Sequence, residues 1–231
     1  SGQVHVMGEI PPVDAARLDT APEFDLMTVP VPGLSLQFYL NTARAPTDDL
    51  RVRQALLYAV DQQLIVDIVF LGFSPPAHGP LTRSTWAYTS DVESMYPSDP
   101  DRARALLEDA GWVDGDGDGI RERGGERLAL EVILTSWGFV PEVGQVLEQQ
   151  LEAVGVDLDT IIIAAYPILV ETAAAGEYPL IPFALSSHDP HILRSMFHSS
   201  NVDGGFNWSK VQDDELDRLL DTGMRTVDRA Q

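Results

Sequence analysis

Residues 41–72 read NTARAPTDDLRVRQALLYAVDQQLIVDIVFLG and carry the clearest structural pattern of this 231-residue sequence. Asp48 and Asp49 place side-chain acceptors and negative charge where a helix would begin. Apolar residues then recur at spacings of three and four and form one face: Val52, Ala55, Leu56, Ala59, Val60, Leu64 and Ile68. Gly72 and the prolines that follow it end the pattern. The stretch therefore predicts one long helix over residues 48–71.

The composition excludes several classes of partner. Thirty-six acidic and 15 basic residues give a formal charge of −21. Such a surface repels nucleic acid and anionic membranes, so we expect no nucleic-acid partner. No apolar run reaches the length of a membrane span, so we expect no direct membrane insertion by this part of the chain. The absence of cysteine excludes disulfides, thiolate metal sites and a cysteine nucleophile.

The order of periodic segments predicts an α/β fold. Strand patterns at 128–134, 156–164 and 180–186 alternate with helical patterns that begin at Pro141 and near Ile168. This order is typical of right-handed parallel crossovers in a layered sheet. The other predicted elements are strands at 3–7 and 34–40 and helices at 12–18, from Pro100 to Ala110, from Pro190 to His198 and from Asp213 onward. Residues 73–97 predict a packed irregular segment.

Several motifs, in order, resemble one protein family. The pattern N-T-x(3)-P-x(2)-D-x-R-V-R-Q-A-L-x-Y-A-V-D over residues 41–61 closely resembles the signature helix of the bacterial extracellular solute-binding proteins of family 5. Residues 96–107 (YPSDPDRARALL) resemble the family's Y-x-x-D-P-x-x-A-x-x-L-L helix and continue into Ala110-Gly111-Trp112 and DGDGIR at 116–121. The SSHDP, FNW and ELDRLL segments at 186–190, 206–208 and 215–220 resemble the family's later motifs. The match covers residues 30–230 in register.

This resemblance implies a fold, a domain division and a function. The fold would be a lobe like those of periplasmic binding proteins of class II, with a mixed or parallel sheet flanked by helices. Residues 1–40 would be the exit strip of a first lobe, 41–190 the second lobe, and 191–231 a return segment with a terminal helix. Family members are receptors rather than enzymes. They capture a small solute between two lobes, most often an oligopeptide or dipeptide, and deliver it to a membrane permease and ATPase complex.

The resemblance also implies a location and a ligand contact. The location would be periplasmic or extracellular, with a membrane anchor on a missing N-terminal segment. In peptide-binding members, an aspartate four residues before the proline of the D-P motif pairs with the ligand's α-amino group. That position is Ser186 here, and a neutral hydroxyl cannot supply the charge-assisted bond. A shifted alignment would assign the role to Asp189. The departure leaves receptors for an oligosaccharide or a metal chelate open.

Six residues are candidates for ligand contact: Trp137, Ser186, His188, Asp189, Asn207 and Trp208. Trp137 directly follows a predicted strand, where α/β folds place ligands, and Trp208 lies in a predicted loop. The alternative for Asp189 is the cap of a helix that begins at Pro190. The alternative for the tryptophans is packing in the core or between lobes.

The acidic loop after residue 113 suggests a calcium site. Asp114, Asp116 and Asp118 match the first, third and fifth positions of a calcium-binding loop, and Gly119 matches the sixth. Ile120 would offer its carbonyl, and Glu122 stands at the ninth position. Gly125 occupies the twelfth position, where a bidentate glutamate belongs, so the loop is not an EF-hand. A structural calcium site and a solvated acidic turn both remain open, and no other cofactor is expected.

A second metal hypothesis involves three histidines. His188, His191 and His198 would bind zinc or nickel if their imidazoles converged. Together with the acidic loop they would suit a metal-dependent α/β hydrolase, which is the alternative to a receptor. A separation of seven residues spans about 10 Å of helix, so one ion cannot bridge it without a bend. Surface or interface histidines are the competing interpretation.

Overall fold

The computed structural model describes residues 6–8 and 10–226. The predicted strand at 3–7 falls mainly outside these residues. In chain order, the helices and strands are α1 (Pro12–Asp19), β1 (Gly33–Leu40), α2 (Leu50–Ala59), α3 (Gln62–Val69), α4 (Pro100–Asp109), β2 (Glu122–Arg123), β3 (Glu126–Arg127), β4 (Ala129–Thr135), α5 (Val140–Glu152), β5 (Asp157–Ile163), α6 (Tyr166–Ala175), β6 (Leu180–Ser186), α7 (Ile192–Phe197) and α8 (Asp214–Arg225). The α/β class is confirmed.

The opening stretch forms two helices, so the prediction of one long helix is wrong. The backbone is extended at Val60 and Asp61, between α2 and α3. The Asp61 carboxylate accepts the backbone N–H of Leu64 at 2.9 Å and caps α3. Gln150 of α5 holds the break on both sides, because its Oε1 accepts the Asp61 N–H at 2.9 Å and its Nε2 donates to the Asp61 carbonyl at 3.2 Å. The apolar spacing continues across the break and hides it, whereas an aspartate favours a cap over a helix interior.

The main sheet is mixed, with strand order β1-β6-β4-β5. β4 and β5 run parallel in continuous register from Ala129 opposite Asp157 to Thr135 opposite Ile163. β6 lies parallel to β4 on the other side. β1 is antiparallel to β6, with Gly33 opposite Ser186. The predicted parallel crossovers over 128–186 are therefore confirmed.

Helices cover both faces of this sheet. Leu130, Val132 and Leu134 of β4 point into a core shared with α2, α4 and α5. Ile133, between them, joins the opposite core with α6, α7 and Trp208. Each such fully buried aliphatic side chain contributes about 1.5–3 kcal/mol by leaving water. The central strand β4 therefore joins two hydrophobic layers.

Residues 73–97 lie along the outer edge of β1, as the prediction of a packed irregular segment requires. They include a single short 3-10 turn at Ser90–Ser94 among the described elements. The Ser35 N–H donates to the Pro80 carbonyl at 3.2 Å, and the Thr82 N–H donates to the Gly33 carbonyl at 2.9 Å. The Gly33 N–H donates to the Thr85 hydroxyl at 2.9 Å. These bonds cover part of the strand edge that β6 leaves free.

The terminal segments bear on the predicted division of the chain, which stays a prediction. β1 is hydrogen-bonded to β6 in the main sheet, although the prediction assigns residues 1–40 to the exit strip of a first lobe. The helix predicted from Pro190 begins only at Ile192. In the return segment, Arg194 Nε donates to the Asp221 carboxylate at 2.8 Å and ties α7 to α8. Asp213 caps α8 by accepting the Leu216 N–H at 2.8 Å, which confirms the predicted start.

Gly33→Ala is expected to destabilise the sheet strongly. Gly33 has φ +125°, and an added Cβ would collide with the backbone of Leu185 and Ser187. A strained backbone and a collision that cannot relax predict a loss of at least about 2 kcal/mol, measured by urea unfolding. Gly223→Ala in α8 is the control, because its Cβ meets nothing within 4 Å and helix propensity favours alanine. Equal stability of the two variants would contradict the prediction.

Candidate functional site at the carboxyl edge of the sheet

The chain changes direction in the sheet between β4 and β6. β4 leads through α5 to β5 on one side, and β5 leads through α6 to β6 on the other side of β4. α5 belongs to one hydrophobic core and α6 to the other, so the two connecting helices lie on opposite faces. In open α/β sheets, ligands bind in the crevice that such a switch point creates beyond the carboxyl ends of the strands. The candidate site therefore lies where β4 and β6 end.

The hydrogen-bonded pairing of β4 with β6 stops before this edge. Whereas β4 and β5 stay paired over seven residues, β4 and β6 are paired only at Val132 and Leu180. Pro182 has no N–H with which to continue the ladder, and β4 ends at Thr135. The β4-facing edge of β6 from Pro182 to Ser186 thus has no paired strand within the described residues. Backbone donors and acceptors on an open strand edge bind water or an extended ligand.

Two predicted ligand residues share this edge. Trp137 lies in the turn after β4 with 44% of its surface exposed. Ser186 is the exposed last residue of β6. The Ser136 N–H donates to the Ile163 carbonyl at 3.2 Å, which brings the ends of β4 and β5 together. Trp137 and Ser186 therefore both lie at the carboxyl edge of the sheet.

His188 and Asp189 follow in the same exposed loop, and Asp189 stabilises a turn there. Its carboxylate accepts the N–H of His191 at 3.0 Å. Its own N–H and carbonyl both bond to the Ser187 hydroxyl, at 3.2 and 2.9 Å. Asp189 thus orders the start of α7 without capping its first turn directly. Asp189 itself is exposed.

Asn207 and Trp208 are placed differently from the prediction. Asn207 is fully buried, and its side-chain amide donates to the carbonyls of Phe197, His198 and Val211 at 2.8–3.2 Å. Trp208 is 1% exposed and meets Phe183 edge to face, with ring centroids 4.9 Å apart. Both residues hold the return segment against the sheet. Their assignment as ligand contacts is corrected, because neither side chain reaches the surface of the described chain.

Tyr166 was not among the residues predicted to contact a ligand. This residue begins α6 just after β5, is 47% exposed, and stacks on Phe183 with centroids 6.5 Å apart. It therefore places a second exposed aromatic ring at the same edge as Trp137. The ends of the predicted strands would have identified it, because every residue just beyond a parallel strand lies at this edge.

The acidic loop forms part of the predicted calcium site. Ligand oxygens of Asp114, Asp116 and Glu122 lie within 4.8 Å of one another, the one such group of three or more among the described residues. Asp118 instead forms an ion pair with Arg127, whose hydrogen bond lowers the pKa of that carboxyl. The Ile120 side chain is buried. Asp118 is therefore corrected to an ion-pair partner, and calcium itself stays a prediction.

Much of the bonding capacity of this loop is already used. Asp114 accepts the N–H groups of Gly117 and Gly119 at 2.7 and 3.1 Å. Glu122 accepts the Gly115 N–H at 2.9 Å. These bonds stabilise the turn without an ion, which is the behaviour expected of a solvated acidic turn.

The three histidines do not converge. His198 is buried, and its Nδ1 accepts the Ser200 N–H at 3.1 Å. Its ring faces Asp217 and Asp221 of α8 at 3.7 and 3.5 Å. His188 and His191 are exposed in the preceding loop. The metal centre that a hydrolase would need is therefore not assembled by these residues.

The family model for "Bacterial extracellular solute-binding proteins, family 5 Middle" matches residues 1–204. The chain belongs to family 5 of the solute-binding proteins. This membership confirms the resemblance of the motifs at 41–61 and 96–121.

Two relatives illustrate the range within this family. The oligopeptide-binding protein AppA of Bacillus subtilis is 28% identical over 228 residues, which is 95% of this chain and 41% of AppA. Heme-binding protein A of Haemophilus influenzae is 38% identical over 103 residues, which is 44% of this chain and 18% of the relative. The family 5 chain thus spans less than half of the length of either relative.

A solved structure shows the same fold. The structure of AppA from Bacillus subtilis, in complex with a nonapeptide, superposes with a TM-score of 0.83 and 25% identity. The superposition covers 96% of this chain and 44% of AppA. The fold is that of the periplasmic binding proteins, as the resemblance implied.

Asp217→Asn is expected to weaken the return segment in a pH-dependent way. Hydrogen bonds from the Ser199 hydroxyl and N–H lower the pKa of Asp217, with the His198 ring adding to the effect. Because the pKa of Asp217 is lower in the folded chain than in the unfolded one, the carboxylate stabilises the fold at pH values above the unfolded pKa of about 3.9. This stabilisation is lost as the pH falls through the pKa of the folded state. The variant should therefore melt earlier than the parent chain at pH 7, and the difference should shrink below about pH 4.

Asp203→Asn is the control for this prediction, since it removes the same charge from an exposed loop. Melting curves followed by circular dichroism from pH 3 to pH 7 make the comparison. A difference between Asp217→Asn and the parent chain that stays constant over this range would contradict the assignment.

Calcium is expected to raise the melting temperature through Asp114, Asp116 and Glu122. Asp116→Asn should abolish this shift because it removes a charged ligand oxygen from the group of three. Asp118→Asn should retain it, because Asp118 is bonded to Arg127. The measurement compares thermal melts with calcium chloride and with EDTA. Identical melts of the parent chain in both would exclude a structural calcium site.

Proposed function

We propose that this chain supplies one lobe of the substrate-binding component of an ABC importer. The receptor captures a small solute, an oligopeptide or dipeptide, between two lobes and delivers it to a membrane permease and its ATPase. The observation that carries the proposal is the switch point between β4 and β6, beyond whose strand ends open α/β sheets bind ligands, in a member of family 5. The nonapeptide complex of AppA, whose fold this chain shares, supports a peptide as the ligand.

The chemistry of the edge suits an extended peptide. The unpaired stretch of β6 from Pro182 to Ser186 offers main-chain groups to a peptide backbone. Trp137 and Tyr166 offer exposed rings for apolar side chains. Ser186 contributes a hydroxyl in place of a charge, so the carboxylate of Asp189 is the nearest partner along the chain for a ligand ammonium. In this proposal His188, beside Asp189, lines the same loop.

A second lobe would complete the cleft. Residues 20–32 leave Phe24, Met27, Val29 and Val31 more than half exposed, directly before β1. The free energy of exposing a strip of apolar side chains to water is removed when another domain covers the strip. We therefore assign residues 1–32 to the first lobe, 33–190 to the second lobe and 191–231 to the return segment that packs on it. Lobe closure around the ligand follows the hinged clamp of two-domain receptors.

The proposed location is the periplasm or the cell exterior, with a membrane anchor on a segment that precedes this chain. The family is one of extracellular solute-binding proteins. None of the helices in the described residues has both the length and the apolar character that crossing a bilayer requires. We propose no catalytic step.

Calorimetric titration of the complete receptor with a ligand panel tests the function. The panel contains di-, tri- and nonapeptides, a linear oligosaccharide and a nickel chelate. We expect binding of peptides, and weaker binding by the 231-residue chain alone because it provides one wall of the cleft. Binding of the sugar or the chelate without any peptide would replace the proposed ligand class. No binding of any class would overturn the receptor function.

Ser186→Asp is expected to strengthen binding of peptides that have a free α-amino group. A carboxylate at this position adds a charge-assisted hydrogen bond, which predicts about tenfold to hundredfold tighter binding. N-acetylated peptides should gain nothing, because they lack the ammonium. Ser98→Asp adds the same charge beside α4, away from the strand ends, and serves as the control. Equal gains for free and acetylated peptides would show that Ser186 does not face the amino group.

A further inference from the structure

We propose that the folded state of this chain depends on high ionic strength and loses stability in dilute salt. The sequence carries 36 acidic and 15 basic residues. The described residues form eight arginine–carboxylate ion pairs, each using one arginine, so most carboxylates have no cationic partner. A net charge this far from zero destabilises a compact state through self-repulsion.

The fold places some of these carboxylates directly against one another. Glu131 of β4 lies opposite Asp159 of β5 in the parallel register, and both are exposed. Asp157 lies two residues earlier on the same strand face, and Glu148 borders the same surface depression. Arg44 borders it, and the charge of Arg127 also acts on Asp157, so two cations face four carboxylates. Like charges directly opposite on neighbouring strands destabilise a sheet, so this face repels itself.

The acidic loop is a second site of repulsion. Three carboxylates, those of Asp114, Asp116 and Glu122, converge within 4.8 Å. Arg127, the basic residue paired in this loop, binds Asp118 instead. Unfolding lets such groups separate, so the repulsion weighs more on the folded chain than on the unfolded one.

Dissolved salt removes much of this penalty. The screening length falls from about 30 Å at 0.01 M to about 10 Å at 0.1 M and about 3 Å at 1 M. The screening length at 0.01 M is of the order of the size of the folded chain. In dilute salt, each carboxylate therefore acts on the others. At high salt only the nearest pairs interact. The folded state is therefore favoured as ionic strength rises, and the chain suits a salt-rich medium.

Thermal and urea unfolding at pH 7 with EDTA, between 0.02 and 0.5 M salt, tests this inference. We expect the melting temperature to rise by about 10 °C or more over this range. Sodium chloride and potassium chloride should give the same curve at equal ionic strength, because screening does not distinguish them. A melting temperature that is independent of salt below 0.5 M, or that follows the identity of the salt, would overturn the proposal.

Two double variants with equal net charge locate the effect. Glu131→Gln with Asp159→Asn removes the opposed pair and should raise the melting temperature in 0.02 M salt and flatten its dependence on salt. Asp101→Asn with Glu215→Gln removes two carboxylates that bind Arg104 and Arg218, so the lost attraction offsets the lower net charge and the melting temperature in 0.02 M salt should rise less than with the first pair. Equal effects of the two pairs would overturn the assignment to Glu131 and Asp159. The test involves no ligand, so its outcome is independent of the proposed receptor function.

Discussion

The structure depends on the parallel pairing of β4 with two neighbouring strands, which pair with it over different lengths. β5 follows β4 over its whole length, whereas β6 is paired with it only at Leu180. The buried side chains of β4 hold helical layers on both faces of the sheet. Beyond Leu180, the β4-facing edge of β6 keeps main-chain groups that no strand of the described residues pairs. The position of this free edge follows from the packing of β4 between two hydrophobic layers.

The sequence predicted the elements well where periodicity and end signals agreed. The strands at 128–134 and 180–186 and the helix after Asp99 lie within a residue or two of their expected bounds. It failed at Asp61, where the apolar spacing of a long helix continued through a break. The helix is broken there because Asp61 caps the next helix and is held by a hydrogen bond to Gln150, 89 residues away in sequence. The pattern of neighbouring residues gives no information about so distant a partner.

The candidate site was predictable in part for the same reason. Trp137 was predicted because strand ends share an edge of a parallel sheet, whereas Ser186 was predicted from the resemblance to the family's D-P motif. Asn207 and Trp208 were misjudged because the sequence of a loop does not show which groups cover it. Here the covering groups are Phe183 and the carbonyls around α7. Family membership fixes the fold and the class of receptor, while the role of Ser186 in ligand choice stays a prediction.

The backbone around Gly33 joins the chain's path into the sheet to the candidate site. Ser187 N–H donates to the Pro32 carbonyl at 3.0 Å, and Gly33 lies opposite Ser186. The strand that leads into the lobe and the loop that ends β6 are therefore one hydrogen-bonded unit. A rotation of residues 20–32 about Gly33 would therefore pull on Ser186 and Ser187. A movement of the incoming strip and a movement of the loop after β6 are, at this point, mechanically the same event.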